Sequence, residues 1–312
     1  MHQAQVTAWG NLPTYTAAPD LPPPATNQYR IRVEAAGLHR VVKSRASGKH
    51  YTSTTLPHVP GVDGIGTIES RDETNGQTAY FVTLAPGAGG SMSEYVNVDK
   101  KSVTRLPKGA DIYQTAALVN PALSSWMAMK TRTTNLPEGF SVLILGATSA
   151  SGSIAIPLAK ALGAKRIVGA ARNKDALDKL GLDDAIVVAK KPEDTDFSNV
   201  GHVDVILDYI YGPLTAHLFK SLQTPKPTQY VHIGSLGGEL DISVPGDILR
   251  SKNLTISGSG PGAWGMQRAV QLMPGLLEAI VNVPRQPVKK VNLKDVEQHW
   301  NSESKERVVF VP

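Results

Sequence analysis

Cysteine is absent from all 312 residues. That excludes disulfides, Cys-ligated zinc, iron–sulfur clusters and thiol nucleophiles together. The sequence also lacks an apolar run long enough to span a bilayer. Its opening, MHQAQVTAWGNLP, has neither the charged start nor the apolar core of a signal peptide. An intracellular, cytoplasmic protein with no membrane partner is therefore expected. Concentrated charge is missing too. The net charge of +5 comes from scattered Lys and Arg, which suits an anionic ligand but argues against a nucleic-acid face.

With 41% hydrophobic and 19% charged residues, the composition is that of an ordinary globular protein, and the length predicts two domains. The first hundred residues read as β. In QYRIRVEAAGL (28–38), Tyr29, Ile31 and Val33 alternate with Arg30, Arg32 and Glu34, the pattern of a half-buried strand. Strand-like pieces at 57–70, 78–84 and 90–99 follow, divided by Gly, Pro and Asn turns. This is the texture of an irregular β-barrel.

Near residue 110 the pattern changes. DIYQTAALVNPALSSWMAMK (111–130) reads as a helix with Asp111 as N-cap. From Ser141 onward short strands and helices alternate. SVLILGA (141–147) is a continuous apolar run, as expected for a parallel strand covered on both faces. Further strands are expected at 166–171, 183–188, 203–210, 229–235 and 254–260, with helices at 173–180 and 212–222. Such alternation implies a doubly wound parallel sheet in an α/β fold. The predicted boundaries are 1–110 for the β domain, completed by a returning strand within 285–312, and 111–284 for the α/β domain.

LGATSASGS (145–153) joins the apolar strand to a helix, where backbone N–H groups and the helix dipole can hold a phosphate. Set on the usual three-glycine fingerprint, its key positions are Ala147, Ser149 and Gly152, of which only the last is glycine. Thr148, Ala150 and Ser151 complete the turn, and the Ser149 and Ser151 hydroxyls add donors. About twenty residues on, where an NAD site carries an acid for the ribose, stand Arg172, Asn173 and Lys174. They suit a 2′-phosphate, so NADPH is the expected cofactor. A Ser-capped turn that binds no nucleotide is the competing reading.

An ordered series of motifs covers nearly the full length: VEAAGL (33–38), SGKHY with LPHVPGVDGIGTI, GGSMSEYVNVD, LPKGADIYQTAAL and VLILGATSASGSIAIPLAKALGA. In these the chain resembles the medium-chain dehydrogenase/reductase superfamily, in its zinc-independent quinone oxidoreductase (zeta-crystallin-like) branch. The resemblance implies a GroES-like β-barrel domain and a Rossmann domain. It implies NADPH-dependent hydride transfer to a small-molecule quinone, enone or related activated carbonyl compound. Dimers are common in that family. Zinc-dependent relatives use two Cys and a His, and the matching positions here are His39, Val62 and Asn120, so no metal is expected. The resemblance sets Tyr51 near the branch's SG-x-Y tyrosine, with one extra residue in the spacer, as a catalytic candidate. His39 stands where zinc-independent relatives carry Asn-Pro, and it either orients or protonates a substrate carbonyl or is an exposed loop histidine. The resemblance places Asn120, Ser124, Gly234, Ser235, Gly258 and Ser259 near the nicotinamide, while Tyr209 either walls the cofactor or packs.

Quinones and activated double bonds take up hydride readily because charge spreads onto the carbonyl oxygen, which one or two donors can stabilise. An unactivated alcohol needs stronger help, which favours a reductase. A short-chain dehydrogenase is a poor alternative, since no tyrosine has a lysine four residues later. The other alternative is a member that holds NADPH without turnover, as a structural or regulatory protein.

Overall fold

The computed structural model describes residues 1–50, 52–84, 89–302 and 306–312. In chain order the strands are β1 (His2–Gln5), β2 (Thr14–Ala17), β3 (Gln28–Gly37), β4 (Asp63–Glu69), β5 (Thr78–Val82), β6 (Tyr95–Asp99), β7 (Val103–Arg105), β8 (Ser141–Leu145), β9 (Arg166–Ala171), β10 (Asp184–Val187), β11 (Val205–Asp208), β12 (Thr228–His232), β13 (Leu254–Gly258), β14 (Val288–Asn292) and β15 (Arg307–Val311). The helices are α1 (Arg40–Ala46), α2 (Ile112–Thr131), α3 (Ala150–Ala161), α4 (Lys174–Leu177), α5 (Pro213–Ser221), α6 (Gly246–Ser251), α7 (Pro261–Trp264), α8 (Met266–Val281) and α9 (Val296–His299).

Two compact units result, one from Met1–Asn120 with Val270–Pro312, the other from Pro121–Ala269. In the first, a mixed sheet runs β14-β15-β3-β4-β5-β7, with β6 also paired to β3. The alternation read in β3 sets its register. Ile31 lies opposite Ile68 on one side and Val96 on the other, and all three are buried. The C-terminal strand β15 pairs antiparallel with β3.

The division differs from the expected boundaries of 110 and 285, because it falls inside the two long helices. The start of α2 is tied to the chain just beyond α8. Gln114 and Gln286 exchange hydrogen bonds of 2.7 and 3.0 Å, and Arg285 meets Asp111 at 3.1 Å. Asp111 caps α2 as its sequence suggested, accepting from the N–H groups of Tyr113 and Gln114.

The second unit is built on a six-stranded sheet ordered β10-β9-β8-β11-β12-β13, all parallel. This is the doubly wound order, with its topological switch between β8 and β11. Every residue of β8 is buried, which accounts for its unbroken apolar run. Leu143, Leu145, Ile206, Leu218, Phe219 and Tyr230 fill the core on one side of the sheet. Predicted helices shrink at their ends: 173–180 becomes the single turn of α4.

Candidate cofactor and active site

Two glycines bracket the turn from β8 to α3. Gly146 opens it at φ +85°, a conformation that favours glycine. At Gly152, a Cβ would lie 2.2 Å from the Gly146 carbonyl oxygen, so only glycine lets the helix pass this close to the strand end. Ser149 is the N-cap between them, its Oγ accepting the Gly152 N–H at 3.0 Å. The fingerprint alignment is corrected here: Gly146, which it left out, makes the tight turn. Ala147 is fully buried, donates its N–H to Ala170 and lies off the ligand-facing wall. Ala150 is exposed and Ser151 partly so, both in the first turn of α3.

At the switch point a cavity of about 510 Å³ opens between the carboxyl ends of the strands. Its size is typical of small-molecule sites. Gly146, Thr148 and Ser149 line it from the first turn, Arg172 from beyond β9, Lys190 from beyond β10, and Tyr211 and Glu239 from the other side. Of the three residues expected to hold a 2′-phosphate, only Arg172 lies on this wall. Asn173 is occupied as the N-cap of α4, accepting the Ala176 N–H at 3.0 Å. The Lys174 ammonium grips both oxygens of Asp178 at 2.9 and 2.7 Å, an i,i+4 pair that raises its pKa.

Asp208, at the end of β11, fixes the opposite wall. It is fully buried and accepts from the N–H groups of Ile210 and Tyr211 at 2.7 and 3.0 Å. The hydroxyls of Thr215 and Tyr230 donate to its other oxygen. Burial, and then Asp208 beside it, push the Tyr230 phenol well above its ordinary pKa. The turn so held carries Tyr211 at φ +60°, with its ring 4.3 Å from that of His232. Tyr209 resolves to packing: it is buried, its hydroxyl is 2.6 Å from that of Ser125, and burial pushes its pKa up to about 12.

Other expected residues sit at the strand ends but off this cavity. Gly234 donates its N–H to the Asp208 carbonyl, and Ser235 accepts from Gly238. A Cβ at Gly258 would meet open space, so that position does not require glycine. Ser259 donates its N–H to the His232 carbonyl, while its own Oγ and His232 Nδ1 are buried without a hydrogen-bond partner among the described residues. Such orphaned groups are what a bound polar ligand satisfies. Ser124 donates to the Pro121 carbonyl near the start of the unit, and Asn120 is half-buried at the end of the other.

In the barrel unit, His39 stands at the N-cap position of α1 without a side-chain capping bond and is buried with Asp63 and Tyr80. Its Nε2 lies 3.3 Å from Asp63 Oδ1, within ion-pair range, yet neither atom has a well-aligned hydrogen bond among the described residues. The Tyr80 hydroxyl donates to Asp63 Oδ2 at 2.9 Å. Burial first, and then Asp63, drive the Tyr80 pKa upward, so this phenol stays protonated. Gly37 makes room for the ring, since a Cβ there would lie 2.4 Å from His39 Nε2. Tyr51 lies outside the described residues. Lys190, His232, Asp63 and Tyr80 were missed in the sequence. Each is an isolated residue whose neighbours come from distant strands, so spacing offers no signal.

No family model matches the chain. It is 32% identical, over the whole of both chains, to a probable NADPH-dependent quinone reductase of Emericella nidulans. Over 53% of its length it is 30% identical to 46% of the NADPH-dependent alkenal/one oxidoreductase of Arabidopsis thaliana. Over its full length it superposes on a mycobacterial quinone oxidoreductase with a TM-score of 0.84 at 17% identity. A mycobacterial structure complexed with NADPH superposes at 0.78, again at 17% identity. The paired Rossmann and GroES-like folds agree with these likenesses. The chain belongs to the medium-chain dehydrogenase/reductase superfamily, in its zinc-independent quinone oxidoreductase branch.

Proposed function

We propose that this oxidoreductase uses NADPH to reduce a quinone, enone or related activated carbonyl compound. The observation that carries the reading is the cavity at the β8/β11 switch point, with an arginine rather than an acid beyond β9. When bound, NADPH supplies the hydride. The first turn of α3 offers N–H groups and a positive dipole end to the pyrophosphate. Arg172 favours a 2′-phosphate over the free hydroxyl of NADH. Ser259 Oγ and His232 Nδ1, lacking partners among the described residues, are available to polar groups of the bound ligand.

His39 is the proton donor in this reading. Hydride gained at a quinone leaves negative charge on its oxygen, and one proton from His39 to that oxygen completes the reduced product. Asp63, held by Tyr80, lies 3.3 Å from His39 Nε2, close enough to orient the imidazole. Tyr51 is kept as a second hydroxyl candidate from the sequence pattern. The test is NADPH consumption with benzoquinone, naphthoquinone and a linear enone. Turnover with at least one acceptor, much faster than with NADH, supports the reading. NADPH binding with no turnover across the panel would instead favour a non-catalytic member.

A further inference from the structure

We infer that Lys190, rather than Lys174, is the second cation for the cofactor's 2′-phosphate, so that the phosphate is held between the ends of two adjacent strands. The inference rests on the NADPH reading above and adds a residue to it. Strands β9 and β10 are parallel neighbours, with Ala171 opposite Val187. The Val188 N–H continues the ladder onto the Ala171 carbonyl at 2.9 Å. Arg172 therefore leaves one strand beside Val188, two residues before Lys190. Neighbouring strands lie about 4.8 Å apart, a spacing that long Arg and Lys side chains can bridge to one phosphate.

The Lys190 backbone is held in place. The Ala189 N–H donates to Thr195 Oγ1 at 3.1 Å, and Thr195 is buried. A short 3₁₀ turn at Pro192–Asp194 then carries the chain away. Both Arg172 and Lys190 line the cavity, and neither forms an ion pair or hydrogen bond among the described residues. Lys174 differs on both counts: it does not line the cavity, and its charge is already matched by Asp178. The acidic group on the cavity wall, Glu239, lies against Gly212, beyond the Tyr211 turn rather than beside β9. Two unpaired cations at one end and an acid at the other orient a ligand that carries a phosphate at one end only.

The test separates the 2′-phosphate from the rest of the cofactor. Adenosine 2′,5′-bisphosphate and adenosine 5′-monophosphate are titrated by calorimetry into the wild-type chain and into Lys190→Ala, Lys190→Arg and Lys174→Ala. Removing one charge-assisted contact should weaken the bisphosphate roughly 10-fold in Lys190→Ala. The monophosphate should change less than about twofold, and Lys190→Arg should retain most of the affinity. Lys174→Ala should bind both ligands like wild type. Equal losses for both ligands in Lys190→Ala, or a bisphosphate-specific loss in Lys174→Ala alone, would overturn the assignment. If the wild type fails to bind either the bisphosphate or NADPH, the NADPH reading itself falls, and this inference with it.

Discussion

Each unit buries one aspartate, and the two are satisfied very differently. Asp208 in the Rossmann unit accepts four hydrogen bonds, two from backbone and two from hydroxyls. Among the described residues, Asp63 in the barrel accepts one, from Tyr80, and leaves its other oxygen beside a misaligned His39. A saturated carboxylate has nothing left to offer a ligand. It serves as a structural hub, here fixing the turn that carries Tyr211. A half-satisfied one retains capacity, and its second oxygen faces the His39 imidazole at 3.3 Å. The comparison separates a residue that builds a site from one that can act in it.

Asp208→Ala should break that comparison most severely. Four donors lose their acceptor at once, so the loss should reach about 3 kcal/mol or more, measured by denaturant unfolding. Tyr80→Phe probes the other aspartate. It strips Asp63 of its one aligned donor and should cost about 1–3 kcal/mol. It should also lower turnover, because His39 then faces a less anchored carboxylate. A Tyr80→Phe enzyme with unchanged stability and turnover would show that Asp63 is as self-sufficient as Asp208.

A smaller effect comes from another barrel histidine. Burial, and then the charge of Arg45, lower the His58 pKa from 6.5 to about 4. Between those values the unfolded chain binds the proton and the folded chain does not, so stability should fall as pH drops from 6.5 towards 4 and level off below. His58→Gln should flatten that slope, as read from unfolding midpoints across pH. Least of all should follow from Gly258→Ala, where the added methyl meets open space. Its stability should stay within about 0.5 kcal/mol of wild type, as for other surface changes.

The Rossmann sheet was legible because its evidence is local: an apolar run at 141–147 and a capping serine at 149 each declare one element. The returning strand β15 was legible from its own composition. What stayed hidden depends on pairing across the fold. Arg172 and Lys190 lie eighteen residues apart in sequence, and only the β9–β10 register brings them to one end of the sheet. Lys174 looked equivalent to Arg172 until its helical turn placed Asp178 within reach. Asp63 and Tyr80 meet through the β4–β5 pairing, and the only sign of it in the sequence is the alternation of the two strands.

As proposed above, the cavity at the β8/β11 switch point is a dinucleotide site that selects NADPH. Equilibrium titration of the unmodified chain with NADPH and with NADH, followed by the quenching of tryptophan fluorescence, tests it directly. One charge-assisted contact to the 2′-phosphate predicts NADPH binding tighter by about 10-fold or more. Equal affinity for the two cofactors, or tighter binding of NADH, would contradict it.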